Sequence, residues 1–204
     1  MRKKFLLIVA SVLLLLLADQ VLKIWIKTNF MLGEELNVAG NWFILHFTEN
    51  NGMAFGIELA GAYGKLLLTT FRILVVGGIC WYLYSLIRDR AHNGLVLSVL
   101  LVVAGALGNI IDSVFYGMWF DYAGVFHGRV VDMFYFPIIE GHFPQWFPVW
   151  AGEEFIFFRP VFNLADTYIS AGVISIFVFQ KRFFVPKPEE LSTTQDSASA
   201  GPQA

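Results

Sequence analysis

The chain has 204 residues, of which 57% are hydrophobic and 15% are charged, whereas soluble domains are roughly 45–50% apolar and about 25% charged. This excess argues against a soluble protein and favours one that lies in a bilayer. A formal net charge of −2 provides no basic surface for a nucleic acid. The single Cys80 excludes an internal disulfide, and the scattered histidines do not have zinc-ligand spacing, so we expect no metal or other cofactor.

Four segments approach the roughly 20 mostly apolar residues that a membrane crossing needs. They lie at about 5–26, 63–87, 95–116 and 161–180. The first could instead be a cleaved signal peptide, but no small-residue cleavage site follows Ala18 and the apolar pattern resumes at Val21. The sequence therefore favours an uncleaved helix and a mainly α membrane protein with four transmembrane helices.

Lysines and arginines cluster at three places that fall on the same side of the membrane if the chain crosses it four times. They precede the first segment, fill the link at 88–90 and follow the fourth segment at 181–187. Because cytoplasmic loops are enriched in Lys and Arg, both termini and the link are predicted in the cytoplasm, and segments 27–62 and 117–160 outside. Residues 1–185 then form one domain, and 186–204 form a disordered cytoplasmic tail.

The outer segments have patterns of their own. Residues 41–48 are rich in β-formers, and Phe43, Leu45 and Phe47 would share one side of a strand. This predicts a small extracytoplasmic β layer. Aromatic residues recur from Trp119 to Phe158, which is typical of a loop in the membrane interface.

Polar residues inside the apolar segments are candidate functional groups, because a carboxylate at membrane depth costs about 2.5–3.5 kcal/mol. Asp19 and Lys23 are four residues apart on the first helix, so they can pair and neutralise each other or serve a site. Arg72, in the second helix, can snorkel or pair with a carboxylate.

The third helix carries Gly105 and Gly108, which permit close helix approach, followed by Asn109 and Asp112. One membrane surface is predicted to collect these polar groups with others: Asp112, Asp132 and Asp166, beside Asn50, Asn109 and Asn163. Two carboxylates held close together cannot both ionise, so one can activate a water while the other donates a proton. The pattern predicts aspartic protease chemistry, or carboxylates that merely satisfy amides and helix ends.

Five blocks occur in order along the chain: Asp19-Gln20 with Lys23, Asn50-Asn51-Gly52-Met53-Ala54-Phe55, Gly105 to Asp112, Gly128 to Phe134, and Phe162 to Asp166. With this hydropathy profile, the chain resembles the bacterial lipoprotein signal peptidases (signal peptidase II), which are four-helix intramembrane aspartic proteases, from about residue 5 to 182.

The resemblance implies that Asp132 and Asp166 form the catalytic dyad. It implies supporting or substrate-binding roles for a larger set: Asn163, Asn109, Asn50, Asp112, Asp19, Lys23, Gly52, Gly105, Arg129 and Arg72. The implied substrate is a diacylglyceryl-modified prolipoprotein, cut just before its lipidated Cys. The protein is then expected in the bacterial inner membrane, in contact with membrane lipids, as a monomer whose active site is at the outer surface.

Two features depart from the family pattern. Ser113 stands where the family usually has an Arg, and Arg72 and Arg129 are the candidates to replace that cation. The segment 137–160 is longer than the resemblance implies, which indicates an added interfacial lid or a disordered insertion.

Two other classes of function stay open at this point. A proton-coupled transporter would use Asp19, Asp112 and Asp166 as a relay, and it predicts carboxylates spread through the membrane depth. A non-enzymatic envelope scaffold predicts no dependence on any single aspartate.

Overall fold

The computed structural model describes residues 2–51, 61–137, 139–142, 145–146, 152, 154–157 and 160–184, with backbone alone at 61–62, 139–142 and 154–157. These ranges contain four long helices, which we label α1 Arg2–Asn29, α2 Gly61–Arg88, α3 Asn93–Trp119 and α4 Leu164–Phe183. They also contain five short strands, β1 Glu35–Ala39, β2 Phe43–Asn50, β3 Val130–Tyr135, β4 Ile139–His142 and β5 Glu154–Phe157.

Within the described ranges, three helices are long and apolar enough to cross a membrane: α1, the Tyr63–Arg88 part of α2, and α3. Helix α4 has 20 residues, which give it a length of about 30 Å. Its first turn contains Asp166 and its last turn contains Lys181 and Arg182, so its composition is less apolar. Three apolar spans and a small sheet confirm a mainly α membrane protein, while the fourth crossing stays a prediction.

Helix α3 is the central helix. Half of its apolar window is buried inside the protein, against 6% for α1 and 17% for α2. It packs against α1, α2 and α4. Its buried residues Leu95, Val99 and Val103 form a core with Leu83 and Ile87 of α2. The outward faces of the other helices are left apolar and exposed, as expected for surfaces that contact lipid.

Helices α3 and α4 approach so closely that only glycine fits between them. A Cβ atom on Gly105 would lie 2.2 Å from the carbonyl oxygen of Ala165, and one on Gly172 would lie 2.5 Å from the carbonyl oxygen of Ser98. Packing through small residues is typical of helices in a membrane. The beginning of α4 is thereby held directly against the middle of α3.

Helix α3 changes geometry at Asp112. An α-helical part, Asn93–Ile111, is followed by a π-helical segment, Asp112–Tyr116, and a last turn, Gly117–Trp119. Such segments leave backbone groups available to other partners. Here the Gly128 amide donates to the Ser113 carbonyl at 2.9 Å, and the Phe126 amide donates to the Val114 carbonyl at 3.0 Å. The chain leading into β3 is therefore docked on the π-helical segment.

A three-stranded antiparallel sheet lies beside this end of α3, in the order β1-β2-β3. Strand β2 begins and ends two residues later than the predicted range 41–48. Its register pairs Thr48 with Asp132 of β3. Leu45 and Phe47 pack with Ile26 of α1 and Met133 of β3. The predicted small β layer is confirmed, and it rests on the helices through this cluster.

The long segment 137–160 contains the antiparallel pair β4 and β5, with Ile139 opposite Phe157 and His142 opposite Glu154. Part of this segment is thus ordered as a two-stranded sheet, while its role as a lid stays a prediction. The remaining positions of the segment, and the predicted tail 186–204, lie outside the described residues.

The close approach of α3 and α4 generates a prediction. Gly105→Ala should lower the free energy of unfolding by about 1–3 kcal/mol, because the new methyl group collides with the backbone of Ala165. Gly77→Ala in α2 is the matched control, since nothing lies within 4 Å of its Cβ position. Thermal unfolding of both variants in detergent measures the effect. Equal melting temperatures would contradict the packing described for Gly105.

Candidate active site

Helix α4 begins with a capping box that involves Asn163 and Asp166. The Asp166 amide donates to Asn163 Oδ1 at 2.9 Å, and the Asn163 amide donates to Asp166 Oδ2 at 3.3 Å. This arrangement satisfies two backbone donors that the first turn of a helix leaves without partners. Asp166 is therefore held at the start of α4.

This start lies three residues later than the predicted helix boundary at 161. Phe162 is extended, because its backbone pairs with Phe134 of β3 through hydrogen bonds of 2.7 and 3.0 Å. The pairing joins the strand that carries Asp132 directly to the helix that carries Asp166. It brings the two carboxyl groups into one site.

The side chain of Asn163 links the two aspartates. Because its oxygen accepts the Asp166 amide, its nitrogen faces the other way and donates to Asp132 Oδ1 at 2.6 Å and to Asn109 Oδ1 at 3.1 Å. Asn163 is fully buried and Asp132 is 3% exposed. The capping box thus also determines which end of this amide meets Asp132.

The environment of Asp132 favours its protonated form. Burial, and then the charge of Asp166, raises the pKa of Asp132 to about 7, while hydrogen bonds from Asn163 and Asn50 and the charge of Lys23 act in the opposite direction. A carboxyl group with this pKa is about half protonated at neutral pH and largely protonated below it. Asn50, at the end of β2, completes the surroundings of Asp132.

Asp166 has a different environment. Its Oδ1 accepts the side-chain amide of Asn109 at 2.8 Å, and its Oδ2 accepts the backbone amide of Asn163. Arg72 of α2 is close enough to interact electrostatically with it. A helix N-terminus favours a negative charge in its first turn. Asp166 is thus surrounded by hydrogen-bond donors and a nearby cation.

A buried ion cluster of Asp19, Lys23 and Asp112 lies next to the two aspartates of the site. Lys23 Nζ is 3.0 Å from Asp19 Oδ2 and 2.8 Å from Asp112 Oδ2. It also donates to Asn109 Oδ1 at 2.9 Å. The pairing of Lys23 with Asp19 that the helical spacing predicts is present, and Asp112 joins it.

The predicted residues divide between this site and its surroundings. Gly105 acts in helix packing, and Gly52 lies outside the described residues. Arg129 is 47% exposed and donates to Glu49 Oε2 at 3.1 Å. Ser113 is buried and donates its hydroxyl to the Asn109 carbonyl at 2.9 Å. Of the two arginines considered as replacements for a cation at Ser113, Arg72 is therefore the one that faces Asp166.

Two further residues in the site were not predicted. Gln20 Nε2 donates to Asp112 Oδ1 at 2.9 Å and to Asp19 Oδ2 at 3.1 Å, and the hydroxyl of Tyr116 donates to Gln20 Oε1 at 3.1 Å. The depth of Gln20 in an apolar helix was the available signal. Tyr116 offered none, because aromatic residues are common in this part of the chain.

In the part of the chain that the structure describes, no group of three or more His, Cys, Asp or Glu side chains could hold a metal ion. The expectation that the protein needs no cofactor stays a prediction. The chemistry available at the site is that of two neighbouring carboxyl groups in different environments, one buried and one hydrogen-bonded at a helix start.

Comparison with known proteins identifies the family. The family model for signal peptidase (SPase) II matches residues 11–182. A lipoprotein signal peptidase of Porphyromonas gingivalis (strain ATCC 33277) is 50% identical over 191 residues, covering 86% of this chain and 83% of the relative. A lipoprotein signal peptidase of Amoebophilus asiaticus (strain 5a2) is 39% identical over 185 residues, covering 86% and 78%.

Solved structures show the same fold. A bacterial membrane enzyme determined by the in meso method at 1.9 Å is 25% identical and has a TM-score of 0.60, covering 84% of this chain and 90% of that one. A second, determined at 2.3 Å, is 23% identical with a TM-score of 0.57, covering 97% and 93%. By the family match and by its identity to these relatives, the chain belongs to the signal peptidase II family of aspartic peptidases.

Proposed function

We propose that this protein is a lipoprotein signal peptidase, an aspartic endopeptidase that removes the signal peptide from prolipoproteins. The observation that carries the proposal is the family match over residues 11–182, together with 50% identity to a lipoprotein signal peptidase. Nothing in these findings supports the transporter hypothesis. The neighbouring carboxyl groups of Asp132 and Asp166 supply the chemistry that the activity needs.

The proposed substrate is a prolipoprotein whose Cys already carries diacylglycerol, cut just before that Cys. A residue anchored by two acyl chains is held at the membrane surface, while its signal peptide extends into the bilayer. Asp166 begins helix α4, and Asp132 lies on the sheet beside the helix ends. A dyad at this level can reach such a peptide bond, with membrane lipids around a single copy of the chain.

The two aspartates receive different roles in this proposal. Asp166 is the general base, because it accepts hydrogen bonds from a backbone amide and from the Asn109 amide and lies near the cation of Arg72. Asp132 is the general acid, because burial raises its pKa to about 7. Environments that separate the protonation of two carboxyl groups are how one site provides both an acid and a base.

The reaction follows from these roles. Asp166 takes a proton from a water molecule, the water oxygen bonds to the scissile carbonyl carbon, and Asp132 gives its proton to the carbonyl oxygen. The tetrahedral intermediate then breaks its C–N bond. Asp166 returns a proton to the leaving nitrogen, and Asp132 recovers its proton from a hydroxyl of the intermediate, so the dyad returns to its starting state.

The catalytic assignment is tested by Asp132→Asn and Asp166→Asn. Each should lower cleavage by at least about 10²–10⁴-fold, because an amide can neither accept the proton of water nor supply one to the carbonyl. The measurement is release of the shortened product from a diacylglyceryl-modified prolipoprotein by purified protein, with membrane insertion checked in parallel. Substantial turnover by either variant would remove that residue from the dyad. Parental turnover by both would remove the dyad, whereas absence of cleavage by the parental protein would favour a scaffold.

The protonation of Asp132 predicts a pH dependence. Because its pKa is about 7 rather than 3.8, cleavage should fall as the pH rises above about 7 and the acid form is lost. The hydrogen bond from Asn50 lowers this pKa. Asn50→Ala should therefore move the alkaline limb of the rate profile to higher pH.

The control for this pH prediction is Asn37→Ala, which changes an exposed asparagine of β1 in the same sheet. Its rate profile should coincide with that of the parental protein. An alkaline limb that moves to lower pH in Asn50→Ala, or a parental profile with no alkaline limb, would contradict the role of Asp132 as the acid.

We also propose the orientation in the bacterial inner membrane. Arg88 is the last residue of α2, Arg90 lies in the link to α3, and Lys181 and Arg182 lie in the last turn of α4, as expected for cytoplasmic ends. Reporters at either terminus and at Arg90 should report the cytoplasm, and reporters at Gly40 and Gly141 should report the outside. An external signal at Arg90 would contradict four crossings and a site at the outer surface.

A further inference from the structure

We propose that Lys23 is a positioning residue for both aspartates of the dyad, which it aligns through Asp19, Asp112 and Asn109. The inference rests on the function proposed above. It concerns a residue one layer behind the site, whose side chain contacts neither Asp132 nor Asp166 within hydrogen-bond distance.

The first step is the hydrogen bonding of Lys23 itself. An ammonium group has three donors and no acceptor. Lys23 Nζ is fully buried and lies within 3.0 Å of three oxygens, one each from Asp19, Asp112 and Asn109. Each of the three donors therefore has one acceptor.

The second step is the orientation of Asn109. Because Lys23 can only donate, Asn109 must present its oxygen to it, and the Asn163 amide donates to the same oxygen. The nitrogen of Asn109 is left to donate to Asp166 at 2.8 Å. The opposite orientation would place two donors together and an oxygen against the carboxylate. Lys23 thus determines that Asp166 receives a donor.

The third step concerns the backbone on each side of the site. The second oxygen of Asp19 accepts the amide of Ala165 at 3.0 Å, and Ala165 immediately precedes Asp166. Asp112 Oδ2 accepts the amide of Val131 at 3.3 Å, and Val131 immediately precedes Asp132. The two carboxylates that share Lys23 therefore each hold the residue before one member of the dyad.

Together these contacts make Lys23 the common partner of the groups that hold both aspartates. Without the ammonium group, Asp19 and Asp112 would be two buried negative charges that repel each other. With it, they are held at a fixed separation, and so are Ala165 and Val131. Lys23 thus acts together with the backbone pairing of Phe162 with Phe134 to hold the two residues that precede the dyad.

The test is Lys23→Met, which removes the charge and keeps the length of the side chain. We expect kcat to fall about 100-fold, as for a misplacement of roughly 1 Å at a catalytic group, with little change in KM. Rates are measured well below the melting temperature of each variant, so that loss of folded protein does not contribute. Lys27→Met is the matched control one turn further along α1.

Lys27 suits this comparison because it is also buried and ion-paired, with Glu49, and lies 4.8 Å from the ring centres of Phe120 and Tyr122. Its loss should reduce stability but leave kcat within about threefold of the parental value. Equal losses of kcat in the two variants would show that any buried lysine of α1 has this effect, and would overturn the proposal.

A double-mutant cycle with Asn109→Ala gives the second readout. If Lys23 acts partly through Asn109, the double variant should be no slower than Lys23→Met, since both changes remove the same donor from Asp166. If Lys23 has only a structural role, the two losses of kcat multiply. That outcome, or a parental kcat in folded Lys23→Met, overturns the proposal.

If Lys23→Met does not insert into the membrane, Lys23→Arg is the variant that tests the proposal. It keeps the charge, but its planar fork cannot direct three donors at the oxygens that the ammonium group reaches, so we expect a folded protein with a lowered kcat and an unchanged KM. Parental kcat in Lys23→Arg overturns the proposal. A parental protein that does not cleave the lipid-modified substrate would instead contradict the proposed function.

Discussion

The buried ammonium group of Lys23 is the constraint on which the rest of the structure depends. A charge without solvent exposure carries a desolvation penalty of several kcal/mol, which is offset only when opposite charges and a full set of hydrogen bonds surround it. Asp19 on the same helix provides one partner. The others, Asp112 and Asn109, belong to α3. These contacts fix the register in which α1 packs on α3. Gly108 makes room for the carboxyl group of Asp19, because a Cβ atom at this position would lie 2.6 Å from Asp19 Oδ2.

The packing of α1 on α3 also affects the sheet and helix α4, because both are attached to the same end of α3. The π-helical segment after Ile111 accepts the chain that enters β3, and Phe162 pairs with β3 before α4 starts. Strand and helix are thus joined to each other and, separately, to the same end of α3. A change in the packing of α1 on α3 would consequently reach both carboxyl groups of the site.

Helical spacing predicts much of this from the sequence, because it concerns neighbours on one helix: Lys23 pairs with Asp19, and Asn163 contacts Asp166. Spacing does not predict that Asp112 meets Lys23, since that depends on how α3 is rotated against α1. Nor does it predict the start of α4, because Val161 and Phe162 are apolar enough to extend the helix and only their pairing with β3 makes them extended. Contacts between elements decided each of these points.

The arrangement also explains why Lys23 does not contact the dyad directly. A cation in direct contact with Asp132 would stabilise its ionised form, and the proposed acid would be lost. Lys23 instead pairs with two carboxylates of its own, and its charge lowers the pKa of Asp132 less than burial and Asp166 raise it. The groups that bridge the two layers, Asn109 and Asn163, are neutral amides. They orient the two carboxyl groups without adding a charge of their own, so Lys23 can position the dyad while the pKa of Asp132 stays raised.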